Sequence, residues 1–259
     1  MNGRLTNGRP WILGECLWPE VRSAEYEVAI LPWGATEAHN THLPYATDTI
    51  ESTWVAEESA RLAWEAGARV VVLPAIAYGV QTGQRDIPFC INMNPSTQAM
   101  VLRDIVRSLE VHSPRKLIVL NGHGGNDFKQ MIRELQAETS IFLGTINWWS
   151  CVSAAPFFDE PGDHAGELET SVMQKLSPHL VALLDRAGKG RARRSTIAGF
   201  REGWAWAPRD WSQVTDDTGV GDPSGASDVK GARFLETVTR RIAGFFVELA
   251  AADSARMYE

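Results

Sequence analysis

Four of the six histidines fall in polar segments that also carry carboxylates or glycines. The first segment contains Glu37 and His39, which are separated by one residue, so an extended backbone turns both side chains to the same side. Asp48 follows where the next helix is expected to begin, and the helix dipole favours a carboxylate there. A carboxylate in that place is also suited to bridge two cations.

Two further segments supply the other candidate ligands. His123 lies between glycines in the run 121–126, where small neighbours let the imidazole approach a crowded centre closely. His164 precedes a predicted helix whose first turn contains Glu169. Mixed carboxylate and imidazole ligands suit Zn, Mn or Fe(II), and two such ions sharing a carboxylate generate a hydroxide at neutral pH. The pattern therefore indicates a two-metal hydrolytic site.

Each segment also has an ordinary structural interpretation. Glu37 with His39 would make a simple ion pair, and His42 alone is more typical of a structural histidine than of a ligand. A dinucleotide-binding loop is excluded, because Asp127 stands where the GxGxxG pattern needs its third glycine. What favours a metal site is the coincidence of three such segments.

The elements that must position these residues follow from the apolar pattern. Short apolar runs predict strands at residues 28–31, 69–73, 116–120 and 141–146. Longer runs predict helices at residues 49–66, 95–112, 126–138, 167–176 and 227–251. Strands that are apolar throughout and alternate with helices indicate an α/β fold with a parallel sheet covered on both faces. Ligands bind at the carboxyl ends of such strands, where the polar segments fall.

Composition sets the remaining limits. A formal net charge of -7 disfavours nucleic-acid binding, which needs a concentrated basic face. There is no apolar run long enough to span a membrane, so no membrane association is expected. Three cysteines without a paired motif, and a polar segment 1–10 that does not resemble a signal peptide, predict a cytoplasmic protein. Without a linker or internal repeat, residues 1–259 are predicted to form a single domain.

Ten tryptophans are a high count for this chain. Trp204, Trp206 and Trp211 lie in an irregular stretch, 195–225, and form either a lid over the site or a contact with another subunit. The subunit contact is the favoured interpretation, because tryptophan is enriched at interfaces. The acidic composition is compatible with such an oligomer.

Four segments resemble the signature segments of the creatininase (creatinine amidohydrolase) family. They read LPWGATEAHNTHLPYATD (31–48), LNGHGGN (120–126), HAGELETS (164–171) and GVGDPSGASDVKG (219–231). The resemblance implies a three-layer sandwich, a mainly parallel sheet flanked by helices, as a creatininase-like hydrolase domain. It also implies divalent ions (Zn, Mn or Fe), two per subunit, and a homo-oligomer, commonly a hexamer.

The resemblance assigns two groups of metal ligands: Glu37, Asp48 and His123 for one ion, and His39 with Asp48 for the other. The second ion of creatininase also takes a glutamate two residues after the histidine of the NGH motif. This chain has Gly125 there. We therefore assign Glu169 as the replacing ligand, as a hypothesis for the branch of the family that has this glycine.

The resemblance also implies the catalytic and substrate-binding residues. His164 matches the histidine that passes a proton to the leaving group, and Asp163 is its expected neighbour. Substrate contacts are expected from Gln81, Gln84, Gly124, Trp148 and Trp149. The two glutamines replace a serine and a histidine that are typical of the family, which favours a hydroxyl-rich substrate over creatinine.

The expected function is that of a metal-dependent hydrolase acting on a small-molecule substrate. A metal-bridged hydroxide would open or cleave a small polar carbonyl compound, such as a cyclic amide at its C–N bond. One alternative is a C–C ring-opening hydrolase of an oxidised inositol, a 3-dehydro-scyllo-inosose-like diketone. A further alternative is a non-catalytic metal-binding or peptide-maturation protein, which does not need five converging ligands.

Overall fold

A computed structural model describes residues 8–258. Most of the polar segment 1–10, from which the absence of a signal peptide was predicted, lies outside the described residues. Four parallel strands form one sheet in the order β2-β1-β3-β4. They are β1 (Val28–Trp33), β2 (Val70–Val72), β3 (Lys116–Asn121) and β4 (Phe142–Asn147). The predicted parallel sheet is thereby confirmed.

Eight α-helices accompany the sheet within the described part of the chain. They are α1 (Trp18–Ser23), α2 (Thr47–Glu65), α3 (Pro95–Glu110), α4 (Lys129–Gln136), α5 (Glu167–Leu176), α6 (Ala198–Glu202), α7 (Trp211–Val214) and α8 (Asp228–Ala251). Ser227 caps α8 by accepting a hydrogen bond from the Lys230 amide. Of these described helices, none is both long and apolar enough to cross a membrane.

The strands bury both of their faces, which explains why they are apolar throughout. Val28 and Ile30 of β1 pack with α2, α5 and α8 on one face of the sheet. Ala29 and Leu31 pack with α3 and α4 on the other face. Alternate residues of a strand point to opposite faces, so each strand contributes to both cores. The result is the three-layer sandwich that the resemblance implied.

Strand β1 continues two residues beyond its predicted end. Pro32 and Trp33 remain paired with Leu120 and Asn121 of β3. On the other side of β1, strand β2 has already ended, so the missing N–H of Pro32 costs the sheet little. This extension carries the chain directly into the segment that contains Glu37 and His39.

Lys116 joins the start of β3 to the end of α8. Its buried Nζ donates hydrogen bonds to the carbonyl oxygens of Leu249, Ala250 and Ala252, at 2.7, 3.0 and 2.6 Å. The last carbonyls of a helix have no partner within the helix, and a cation there also complements the helix dipole. A single side chain therefore caps the longest helix of the fold.

We expect Lys116→Met to lower the free energy of unfolding by about 2 kcal/mol, because the carbonyls would lose their donor in a buried place. Urea denaturation followed by circular dichroism measures this change. Lys129→Met, at an exposed position of α4, is the control and should change stability by less than about 0.5 kcal/mol. Equal effects of the two substitutions would contradict the capping role.

Candidate metal centre

Three elements bring Glu37, Asp48 and His123 together at the carboxyl end of the sheet. The segment after β1 carries Glu37, the first turn of α2 carries Asp48, and the turn after β3 carries His123. His123 Nδ1 lies 2.9 Å from Glu37 Oε1 and 3.0 Å from Asp48 Oδ2. All three residues are buried. They form one group whose ligand atoms lie within 4.8 Å of one another.

Asp48 also belongs to a second group, with His39 and Glu169. His39 Nε2 lies 2.9 Å from Asp48 Oδ1, so the two carboxylate oxygens of Asp48 face two different imidazoles. Glu169 comes from the first turn of α5. A third group joins Glu37 and His39 with His164, whose Nδ1 lies 3.8 Å from Glu37 Oε1. One carboxylate shared by two groups is the geometry that a two-metal site requires.

A backbone carbonyl orients each imidazole. Nδ1 of His39 is 3.1 Å from the Glu37 oxygen, Nε2 of His123 is 3.0 Å from the Val80 oxygen, and Nε2 of His164 is 2.8 Å from the Ala38 oxygen. When these nitrogens donate to the carbonyls, the other nitrogen of each ring is directed towards the carboxylates. Metal-binding histidines have the same arrangement, in which the outer hydrogen bond fixes the tautomer.

Two glycines permit this convergence. A Cβ at Gly122 would lie 2.6 Å from the Asp48 backbone oxygen, so the turn after β3 packs directly against α2. A Cβ at Gly125 would lie 2.3 Å from the Val80 oxygen and 2.4 Å from Nε2 of His123. Any larger residue at position 125 would displace the carbonyl that orients His123. The backbone therefore excludes a glutamate ligand from this position.

The charges of the group stabilise one another. Burial alone would lower the pKa of His39, but the Asp48 carboxylate outweighs burial and raises that pKa to about 10. Burial likewise opposes the charge of His123, yet Glu37 and Asp48 raise its pKa well above the ordinary value. In return, the imidazoles hold the pKa of Asp48 and that of Glu37 below their usual range, against the effect of burial. The raised pKa values of the two imidazoles and the lowered pKa values of the two carboxyl groups all follow from opposite charges in a desolvated site.

Two further carboxyl groups lie at this end of the sheet. Burial raises the pKa of Glu169, and the Asp48 charge adds to it, although His39 and His164 act in the opposite direction. Glu51, one turn after Asp48 on α2, is buried and neither of its side-chain oxygens has a hydrogen-bond partner among the described residues. Burial and the charges of Glu169 and Asp48 raise its pKa well above the usual range. Sequence reasoning missed Glu51, although its spacing from Asp48 places both on one side of the helix.

This donor set fits divalent cations. In the described part of the chain, no lysine or arginine forms an ion pair with the buried Glu37, Asp48 and Glu51 or with the partly buried Glu169. Imidazoles are the groups that face these carboxylates, and a bound divalent cation would compensate the carboxylates more fully. Imidazole and carboxylate ligands are those that Zn, Mn and Fe(II) prefer.

A cavity of about 150 Å³ opens onto this group. Gly124, Trp148 and Trp149, which were predicted to contact substrate, line it. Arg209 and Trp211 also line it, and Arg209 belongs to no sequence motif that indicates a role. The ring of Trp211 lies 4.9 Å from that of His164, centroid to centroid. The subunit contact favoured for Trp211 stays a prediction.

Two glutamines predicted to contact substrate do not line the cavity. Gln84 is buried behind the site, where its Nε2 donates a hydrogen bond to Glu37 Oε2 and its Oε1 accepts one from the Cys90 thiol. It therefore positions a candidate ligand and does not face the cavity. Gln81 is also buried, and its backbone amide donates to the Asn92 side chain. Because neither glutamine lines the cavity, these two side chains do not indicate a hydroxyl-rich substrate.

Asp163 lines the cavity but does not orient His164. Its Oδ2 accepts a hydrogen bond from Nη1 of Arg209 at 2.5 Å, and the Ala38 carbonyl holds the His164 ring instead. Neighbours in sequence at an irregular turn point in different directions, which explains the difference. His42, in turn, lies outside all three groups, and its Nε2 lies 2.8 Å from Thr170 Oγ1. This agrees with its interpretation as a structural histidine.

A parallel sheet whose strands end at a buried group of carboxylates and imidazoles, beneath a cavity, is the arrangement of a metal-dependent hydrolase. The chain matches the model of the creatininase family, described as creatinine amidohydrolase, over residues 14–246. It is 32% identical over 232 residues to a mycofactocin precursor peptide peptidase from Mycobacterium ulcerans, covering 85% of this chain and 82% of that protein. The chain belongs to the creatininase family.

Solved structures agree with this assignment. A provisionally assigned creatinine amidohydrolase from Bacteroides fragilis superposes with a TM-score of 0.90 and 44% identity, covering 96% of this chain and 99% of that one. A mutant creatininase of the Zn–Zn type has a TM-score of 0.77 and 25% identity, covering 94% of this chain and all of that one. The family thus includes a creatininase of the Zn–Zn type, and the ligand groups of this chain could hold divalent ions.

If Glu169 replaces the missing glutamate as a ligand, the purified protein should hold about two equivalents of Zn, Mn or Fe per subunit. Glu169→Gln should then retain about one, because the second ion would keep too few charged ligands. Elemental analysis after dialysis against a weak chelator measures this. Glu167→Gln is the matched control, since this neighbouring carboxylate of α5 pairs with Lys230. Two retained ions in Glu169→Gln would remove Glu169 from the ligand set.

Metal binding should release protons at pH 7, because the neighbouring carboxylates, against the effect of burial, raise the pKa of His39 to about 10 and that of His123 well above its ordinary value, and both imidazoles must be neutral as ligands. For the same reason the metal affinity should fall as the pH is lowered. An indicator dye in weakly buffered solution measures the released protons. His42→Ala should leave the number unchanged, since burial lowers the pKa of His42 to about 4 and it is already neutral. Absence of proton release would contradict ligation by these imidazoles.

Proposed function

We propose that this chain hydrolyses the C–N bond of an amide, with Glu37, His39, Asp48, His123 and Glu169 holding two divalent cations. The observation that carries the proposal is the sharing of Asp48 between two ligand groups beside the inner nitrogen of His164. A relative whose name is that of a peptide peptidase, and a family described by an amidohydrolase, both support an amide bond. Ring opening of an oxidised inositol has no such support.

The bound cations would polarise the substrate carbonyl and lower the pKa of a water molecule, which then acts as the nucleophile. The chain must supply the proton transfers. With Nε2 of His164 donating to the Ala38 carbonyl, Nδ1 is left as the acceptor at the inner side of the ring. His164 takes up a proton there and passes it to the departing nitrogen, as a general base and then a general acid.

Burial of the surrounding groups supports this role. Trp148 is buried against Phe234, and the ring of Trp149 lies perpendicular to the ring of Trp148. The two tryptophans give the cavity an apolar wall. Trp211 contacts the edge of the His164 ring. A substrate bound against these rings would displace water from the reacting atoms, and electrostatic interactions there would then be stronger than at an open surface.

Three expectations stay predictions: the single domain of residues 1–259, the homo-oligomer, and the cytoplasmic location. The exposed indoles of Trp204 and Trp206 support the oligomer, because large apolar side chains at a surface are typical of protein contacts.

His164→Gln should lower kcat by about 10²- to 10⁴-fold, because the departing nitrogen would lose its proton donor. The metal content and KM should change little, since the glutamine can still bond the Ala38 carbonyl. Steady-state assays of the Zn- and Mn-loaded protein on short peptides, creatinine and a keto-inositol would identify the amide substrate and measure the change.

Two further variants separate the roles of the site. Asp48→Asn should abolish turnover more completely than His42→Ala, because only Asp48 belongs to the ligand groups. Equal loss in both would contradict the assignment. Turnover of the keto-inositol alone, without any amide hydrolysis, would overturn the proposed reaction.

A further inference from the structure

Arg209 introduces a positive charge into a cavity whose other charged walls are acidic or imidazole groups. Among the described residues that line the cavity, it is the one lysine or arginine. The metal ligands and the proton-transferring histidine make no ion pair with it, and its partner is Asp163. The mechanism proposed above leaves this guanidinium without a function.

The guanidinium is held close to the reacting groups. Its central carbon lies 4.8 Å from the centroid of the Trp211 ring, and the same ring lies 4.9 Å from that of His164. The His164 ring in turn lies 4.1 Å from the His39 ring. A single indole therefore separates the guanidinium from the proton-transferring histidine, on the side of the cavity where the departing nitrogen is expected.

The backbone around Arg209 is firmly placed. A Cβ at Gly83 would lie 1.9 Å from the Arg209 carbonyl oxygen, so the chain packs here at a distance that only glycine allows. The hydroxyl of Ser212, close behind, donates a hydrogen bond to the carboxylate of Asp86. These contacts attach the segment that carries Arg209 to the turn beside Gln84, which in turn contacts the candidate ligand Glu37.

Asp163 shows which chemical group the guanidinium accepts. The pair uses one guanidinium nitrogen, Nη1, and both side chains are about half exposed, at 47% and 56%. Exposed ion pairs contribute little stability, so a competing carboxylate can replace Asp163 at low cost. Arginine has further donors in a planar fork that matches a carboxylate.

We propose that Arg209 binds a carboxylate of the substrate and thereby selects amides whose amine portion carries a carboxylate, as in the last peptide bond of a peptide. This inference rests on the proposed amide hydrolysis, because His164 and Arg209 are placed on the leaving-group side of that reaction. Arg209 determines specificity and takes no part in the chemical step.

A matched pair of probes tests the proposal: N-acetylglycine, which carries a carboxylate, and N-acetylglycinamide, which is neutral. Equilibrium binding of each probe is measured by titration calorimetry with Zn-loaded protein that carries His164→Gln, which slows hydrolysis, and for binding the variants below are made in that background. Arg209→Met should weaken binding of N-acetylglycine by about 10- to 100-fold, as expected for the loss of a charge-assisted pair. Binding of the neutral amide should change by less than about two-fold.

Asp163→Asn is the control that separates carboxylate binding by Arg209 from a purely structural role of the Arg209–Asp163 ion pair in holding the segment that carries Arg209. It frees the guanidinium, so N-acetylglycine should bind as tightly as to the wild type or more tightly. If the ion pair only fastens the loop, Asp163→Asn and Arg209→Met will weaken both probes alike, which overturns the proposal. An unchanged affinity in Arg209→Met also overturns it, because the carboxylate would then bind elsewhere, for instance to the cations.

Measuring hydrolysis of the same probes and of peptides, alongside binding, distinguishes carboxylate recognition by Arg209 from the proposed amide hydrolysis. Binding that depends on Arg209, without hydrolysis of either probe or of any peptide, would leave carboxylate recognition in place and refute the amide hydrolysis. Hydrolysis of neutral and charged substrates at equal kcat/KM, in both the wild type and Arg209→Met, would refute the recognition and leave the hydrolysis in place.

Discussion

The structure depends on placing several carboxyl groups inside the protein at one end of a parallel sheet. Asp48 is at the centre, since its two oxygens face His39 at 2.9 Å and His123 at 3.0 Å. Desolvation opposes every charge in this group, and each charge persists only through an opposite charge beside it. Burial raises the pKa of Glu51 and of Glu169, so the imidazoles do not hold these two carboxyl groups in the charged form as they hold Asp48, and a bound divalent cation would do so.

There is a structural reason why this chain has Gly125 where creatininase has a glutamate ligand. The carbonyl of Val80 occupies the space beside that glycine and orients His123, so the same place cannot also hold a side chain. Any further ligand has to come from another element, and α5 is the one that begins beside His39. Ala165 adopts a left-handed conformation (φ 50°) there, and its amide donates a hydrogen bond to Glu169. Backbone strain is often found at functional sites, and the strained Ala165 holds the side chain of the candidate ligand Glu169 in place.

Sequence patterns predicted the four strands and five of the eight described helices, because buried parallel strands and capped helices have local signals. The helix at residues 167–176 and the end of α8 at Ala251 were predicted with their observed bounds. Local patterns also placed Asp48 in a first turn. They failed where contacts join distant segments: Gln84 turned towards Glu37, and Asp163 found Arg209 in a stretch without regular periodicity. No spacing rule predicts such pairs, since the folding of the intervening chain decides them.

The ligands and the proposed carboxylate-binding residue come from different parts of the molecule. The candidate ligands follow strands or begin helices, and the cores on both faces of the sheet fix their positions. Arg209 lies in the irregular stretch, attached at the surface through its contact with Gly83. If Arg209 selects the substrate as proposed, a substitution in that stretch would change what the cavity binds without moving a candidate metal ligand. Such a separation would allow one family to include proteins named for a peptide substrate and for creatinine, because binding residues on loops can vary while the sheet stays the same.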